Sequence, residues 1–600
     1  MHSIQAIACR RYGWFRVRET YGTPMATVAQ FGGRFTGRVA LPMQVRRSLG
    51  YWGWMLLSPL ATNAAIAQST SQTGTPKTLL QIEEAYADFN DASGAVSLID
   101  SDPVSYPDHS YAGNNRDSWQ KIYVAKRAEL LGNLKQAAAR GGLSAPDARA
   151  LRVMRAAVAE SSAAPQSLAP DGRCKDARRQ DLRLRALQKA LYACFAELAN
   201  SLQFENGTIT RVAALDLLTR MEAPQRRKSL FMAFLPLWQS LNGGSGTQSP
   251  YRRMIRMAAE QDRKSGSPVD AAARTLGVST AESERWLERI LDTWRQVSGD
   301  VAVEPWDYRF QGGAAERELG EAISREALQP LNQRYYLDLG LDLAKAGVIY
   351  DLDPRSGKAP LAYTDYVRRG RWLNGVWQPT LVRVSASYER GGLGPLNELV
   401  HENGHAAHML ALRTRPAFMD LGDAIFYEAF ADVPSWSVYE PAWQQKYLGR
   451  SVAESVSLRA LYSAVMLDIA WAVFDLRMLR SPDNDPNVVW TDITGHYLHV
   501  KPHPELAWWA VRVQLVNEPG YMMNYGLGAI VTADIRQRIA DELGPFQAGD
   551  PRWYGWVSEH LLKSGEEYET AKLLRQFLGR PVSPQALLGE LRRITVQVGK

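Results

Sequence analysis

Cysteine and histidine are scarce in this 600-residue chain: three of the first and nine of the second. Three cysteines leave room for one disulfide at most. Cys9 falls in a segment read below as removed, so Cys174 and Cys194 remain as an even pair, the pattern of a single bridge in an exported protein. Strand signals are also few. The chain has no internal repeat, no long low-complexity segment and no stretch with the composition of disorder. Positive charge is missing where a nucleic-acid partner would need it. The formal net charge is +7, and residues 1–67 alone carry eight arginines against one acid, Glu19. Residues 68–600 are therefore neutral as a whole, which argues against a nucleic-acid binder.

What is present is core-forming material: 46% hydrophobic residues, 18 Trp and 25 Tyr, with 22% charged residues to cover the surface. The length exceeds one typical domain, yet a helical enzyme of this size can form a single body. At the N-terminus, Arg46 and Arg47 precede "SLGYWGWMLLSPLATNAAIAQ". The apolar run is too short for a membrane span, and Ala65-Ile66-Ala67 is a small-x-small cleavage pattern before Gln68. Counted from Met43 this is a signal peptide of ordinary length; Met25 is another possible start, and an uncleaved anchor is the alternative. The expectation is that residues 1–67 are removed, 68–78 form a polar linker, and 79–600 form one helical body. That body is exported to the periplasm or beyond, with no stable membrane span after cleavage.

The exported part reads as mostly α. Residues 117–142 have helical spacing and stop at Gly141-Gly142, and Ser144 caps the next helix. Residues 208–238 read as two helices broken near Pro224, and Ser279 or Thr280 caps a further one. Residues 454–479 make a long segment with an apolar face. The clearest strand is "PTLVRVSASY" (379–388), followed by the Gly391-Gly392 break and a helix opening near Pro395.

That helix carries "LNELVHENGHAAHML", Leu396 to Leu410, with three of the nine histidines. His401-Glu402-x-x-His405 puts two imidazoles on one helical face, able to share one zinc ion, with Glu402 beside the open position as general base for a zinc-bound water. His408 lies roughly 10 Å along the axis from His401, too far to share the ion, and serves in packing or in support. Gly404 costs the helix about 1 kcal/mol relative to Ala and signals close approach by another element. The third protein ligand comes from "GDAIFYEAFADVPSWSVYE", where Glu428 and Asp432 share a face. Either carboxylate could bind the ion. With Glu428 as ligand, Asp432 orients a ligating histidine through its other ring nitrogen.

His-Glu-x-x-His followed by Glu-x-x-x-Asp resembles the gluzincin metallopeptidases. "FYEAFADVPSWSVYEP" resembles the segment of angiotensin-converting-enzyme-type peptidyl-dipeptidases that carries the third zinc ligand; that comparison selects Glu428 as ligand and Asp432 as its supporting partner. "HENGHAAH", "EPWDYRF" (304–310) and "YDLDPRSGKAPLAYTDYVRRGRW" (350–372) resemble the thimet oligopeptidase and oligoendopeptidase family, whose pattern would align Asp432 with the metal glutamate. Glu428 is the assignment adopted. The resemblance implies one Zn2+ per chain and a two-lobed helical ellipsoid with a deep central channel and a small sheet beside the zinc helix. It implies short, unfolded peptides as substrates, paired through backbone groups of Ser385, Ala386 and Ser387. It also implies late tyrosines at the oxyanion: Tyr525 as donor, with Tyr521 beside it. Any of His496, His499 and His503 could then bind the tetrahedral intermediate, and His503 is the assignment adopted. Val384 stands where the converting-enzyme pattern has histidine, a departure that weakens dipeptide-specific recognition. The expected activity is zinc-dependent hydrolysis of short peptides, with release of C-terminal dipeptides as one form. The alternatives are an oligoendopeptidase cutting internal bonds and a non-catalytic zinc- or peptide-binding protein on the same scaffold.

Overall fold

The structure is a computed structural model that describes residues 78–594 apart from 103–104, 107–109, 112, 161–172, 244–245, 247, 300, 356–357, 359–361 and 374. The expected signal peptide, Cys9 and nearly all of the linker lie outside the described residues. Within them the chain is mostly helical, as expected, with only small sheets.

Local chemistry sets the helix ends. α1 (Leu79–Ser101) opens with a capping box between Thr78 and Gln81. α2 (Arg116–Arg140) starts at the Asn115 side chain and stops at Gly141, whose φ of 65° suits glycine. α3 (Ala145–Glu160) opens on Ser144, which accepts the Asp147 N–H at 3.3 Å. These helices share a core of Phe89, Leu130, Leu134, Leu151 and Met154, closed by Phe418. Cys174 and Cys194 form the expected disulfide. Residues 211–242 depart from the expected two helices and form three: Arg211–Arg220, Pro224–Met232 and Leu235–Asn242. The second break falls just before Pro236, which has no N–H to continue a helix and sits in the first turn of the third.

The sheet beside the site has three strands, β1 (Ile349–Asp351), β2 (Tyr363–Arg368) and β3 (Leu381–Ser385), in the order β1-β3-β2. β3 runs parallel to β1 and antiparallel to β2. After it the chain turns through Gly391, where a Cβ would collide with the Ile323 carbonyl, and Gly392 at φ 126°. α4 (Leu393–Ala411) follows, its first turn held by Glu316, which accepts the Gly394 N–H at 2.9 Å. An acid there suits the positive end of the helix dipole.

α5 (Ala424–Ser435) lies against α4, and α6 (Glu454–Arg480) lies against α7 (Met522–Leu543), which also packs on α5. α4 and α5 meet at Gly404, as its presence in a helix led one to expect: a Cβ there would stand 2.7 Å from Ala431 Cα and 2.8 Å from its carbonyl oxygen. Gly404→Ala should therefore destabilise the protein by about 1–3 kcal/mol, because overpacking exceeds the gain in helix propensity. Denaturant unfolding measures this; an unchanged or higher midpoint would show that the two helices part freely.

Candidate metal centre

Sixteen of the nineteen residues of α4 are buried, and all of its polar residues but Glu398 are among them. His401 and Glu402 are 0% exposed and His405 is 1% exposed. The four-residue spacing turns both imidazoles to one side, with the two Nε2 atoms 3.1 Å apart. Glu428 arrives from α5, with Oε2 3.5 Å from His401 Nε2 and 3.9 Å from His405 Nε2. One ligand atom from each residue lies within 4.8 Å of the others. Ligands about 2.0–2.1 Å from a tetrahedral zinc stand about 3.3 Å apart, so this spacing suits one such ion. Two imidazoles and a carboxylate are also a donor set zinc accepts, with a fourth position left open.

Asp432, one turn after Glu428, bonds His401 Nδ1 at 2.7 Å. That contact fixes the ring's tautomer and leaves Nε2 for an ion, and Ser435 supports the carboxylate at 3.2 Å. The electrostatics are those of a site short of positive charge. Burial pushes Glu428 up, and pushes Glu402 up to about 8 although His401 opposes it. Burial alone would lower His401, but Asp432 and Glu428 outweigh it and hold the ring well above its ordinary value. His405 is pushed well down by burial and by His401. A divalent cation would reverse each carboxylate's penalty.

Glu402 is not among the converging ligands. Thr364 on β2 lies 2.8 Å from its Oε2, while Oε1 is buried without a partner. His408 stands apart, its ring edge-on to Phe426 and Phe430 and neither nitrogen bonded, and burial pushes it down to about 3. It is a packing residue.

Tyr521 and Tyr525 come together at the start of α7, ring centroids 5.6 Å apart. Glu428 acts on the titration of both, and burial holds both phenols protonated. Tyr525 accepts from Gln514 Nε2 at 3.4 Å, whereas the buried Tyr521 hydroxyl has no partner. The expected strand pairing needs correction. β3 is the central strand: Ser385 is paired with both Asp351 and Tyr363, Ala386 N–H bonds Asp351 O, and Ala386 O accepts from Lys358 at 2.5 Å. Ser387 lies beyond the strand's end. A peptide adds to an open edge, and this strand has none to offer. His503 is also otherwise engaged, with Nδ1 2.7 Å from Glu505 and Nε2 2.9 Å from Glu304. His499 bonds the Arg295 carbonyl, and His496 faces Asp292.

Residues that went unnoticed in the sequence complete the surroundings. Arg512 bonds Asp468 at 2.7 Å and lies 4.9 Å from the Tyr525 ring centre. Arg211 and Arg309 stand close enough to Arg512 to be lowered by it, burial being the larger cause for each. The signal was available: Arg512 in "WWAVRVQLV" is a lone cation in an apolar run, which requires a buried partner. Thr364 carried no such signal.

Removing the two carboxylates of α5 separates their roles. Glu428→Ala should abolish stoichiometric zinc binding, while Asp432→Ala should weaken it roughly 10–100-fold. Competition with a chelating dye measures both affinities; a larger loss at Asp432 would make Asp432 the ligand.

No family model and no curated protein matches the chain. Solved structures do. An M32 carboxypeptidase from Deinococcus radiodurans superposes with a TM-score of 0.53 at 15% identity, over 86% of this chain and 97% of its own. A Pyrococcus furiosus carboxypeptidase, in a structure described as apo-Mg, superposes with a TM-score of 0.53 at 14% identity, over 88% of this chain and its full length. Each likeness is one of fold: the chain folds as these carboxypeptidases do.

Proposed function

We propose that this chain is an exported zinc-dependent peptidase that acts on short, unfolded peptides from their C-terminal end. The observation that carries the reading is the convergence of His401, His405 and Glu428 beside the buried, half-unpartnered carboxylate of Glu402. The fold of carboxypeptidases supports it.

His401, His405 and Glu428 would hold the ion, and Asp432 would fix the His401 ring. A zinc ion bound there supplies Lewis-acid polarisation of a carbonyl and lowers the pKa of water toward neutrality. The chain's own residues do the rest. Thr364 fixes one oxygen of Glu402, so the other is left to take a proton and return it to the leaving amine. A carboxyl pushed up by burial serves both directions of that transfer. The phenols of Tyr521 and Tyr525 remain protonated donors, suited to an oxygen on which negative charge develops.

The cationic group of Arg512, Arg309 and Arg211 favours C-terminal action over internal cleavage. Arg512 lies 4.9 Å from the Tyr525 ring centre, Arg309 and Arg211 stand close enough to Arg512 to feel its charge, and Asp468 acts on both Arg309 and Tyr525. Such a group suits a terminal carboxylate. Whether one residue or two leaves per cycle is set by the depth of the site beyond it.

Glu402→Gln should keep its zinc and lose peptidase activity by on the order of 100–10,000-fold. Full hydrolysis by that variant ends the proposal, and zinc binding without hydrolysis of any peptide by the unaltered protein favours a binding role. Mass spectra of peptide mixtures test the direction: peptides with free C-termini should be shortened from that end and amidated ones spared. Equal cleavage of both would favour an oligoendopeptidase.

A further inference from the structure

The two phenols beside the metal ligands stand at the first turn of α7, and that turn is set by α6. Asp475 of α6 is 0% exposed. Its Oδ2 accepts the Gly520 N–H at 2.7 Å and the Met522 N–H at 3.3 Å, the two amides that flank Tyr521. Gly520 has φ 89°, and a Cβ there would stand 2.8 Å from Pro268, so the chain enters the turn in one way. Three residues earlier on α6, Ala472 presses on the next turn of α7: a Cβ on Gly526 would lie 2.8 Å from Ala472 Cβ. Seven residues before Asp475, Asp468 holds Arg512 over the Tyr525 ring. Asp468, Ala472 and Asp475 follow the i, i+4, i+7 spacing of one helical face. That face therefore meets the Tyr521–Tyr525 turn at its start, along its length and through the cation that covers it.

Asp475 is a costly way to begin a helix. Its Oδ1 is buried without a partner, and a serine or asparagine satisfies a helix start without a buried charge. Among the described residues no cation is seen to act on it: Asp262 raises its pKa further, and Tyr251, whose hydroxyl is also unbonded, is a titratable neighbour. The bonds it makes go to the backbone on either side of a site tyrosine.

We propose that Asp475 is a positioning residue for Tyr521 and Tyr525, setting where their hydroxyls stand relative to His401, His405 and Glu428. The proposal rests on the peptidase reading for its kinetic test, so a second readout is independent of turnover. Asp475→Ala should lower kcat by on the order of 10–100-fold, the effect of a small misplacement, with KM little changed. Zinc content and far-ultraviolet circular dichroism should be retained. Asp475→Asn, which keeps an acceptor for both amides, should recover most of the loss. In a Tyr521→Phe, Tyr525→Phe background, Asp475→Ala should lower kcat no further. An equal drop in both backgrounds, or no drop in the first, overturns the proposal while leaving the peptidase reading intact. Absence of hydrolysis by the unaltered protein sinks that reading instead. The 19F resonances of 3-fluorotyrosine placed at 521 and 525 then decide: they should shift in Asp475→Ala and return in Asp475→Asn, and unchanged resonances overturn the proposal. Asp475→Ser, too short to reach both amides, is carried in parallel, so that a misfolded alanine variant leaves both measurements available.

Discussion

α4 and α5 touch backbone to backbone at Gly404 and Ala431, and the spacing of the metal ligands follows from that contact. A glutamate side chain is short. Glu428 comes within 3.5 Å of His401 and 3.9 Å of His405 because no side chain stands between the helices one turn away. The pair is also held from outside. Tyr336 donates to the Val400 carbonyl at 2.7 Å, Tyr554 to Ala407 at 3.3 Å, and Thr532 of α7 to Ala429 at 3.0 Å. Each bond ties the backbone of a ligand helix to an element behind it.

Packing so tight takes the histidines and glutamates of the site out of bulk solvent. Two histidines and two glutamates are buried together, and charges placed in this way cost several kcal/mol each unless paired. Only part of that cost is met within the protein: Asp432 serves one histidine and Thr364 one oxygen of Glu402. Glu428 and His401 offset a further part, and what remains is a cost that a bound cation would relieve. Stability and metal affinity are thus coupled at this site, since the state that lacks the ion carries the unmet cost.

The parts of the site that lie within one helix were legible in the sequence. The four-residue repeat fixes which side chains share a face, so His401 and His405 converge and His408 does not. Glu428 and Asp432 could be found as a pair for the same reason, but spacing left either able to join the ion, and the resemblance selected Glu428. The glycine at 404 announced a neighbour without naming it. What could not be read depended on partners remote in sequence. Whether residues 381–385 form an edge or a centre is decided by strands 349–351 and 363–368 on either side. His503 is decided by Glu304, nearly two hundred residues away. The break at Pro236 was legible and was missed, because the apolar pattern runs through it.

The same face of α6 has a bearing on the proposed export. α6 is 27 residues long, with an 18-residue window of mean hydropathy 1.4, which is apolar enough to span a bilayer. Under the proposed export, the chain would present this segment, unfolded, to a translocation channel that can release it sideways into lipid. Asp468 and Asp475 lie within it, and an aspartate near the centre of an inserted helix costs about 2.5–3.5 kcal/mol, against a gain of about 0.3–0.6 kcal/mol for each large aliphatic residue. The two carboxylates that in the folded protein hold Arg512 and the start of α7 would, in transit, weigh against the segment being left behind in the bilayer.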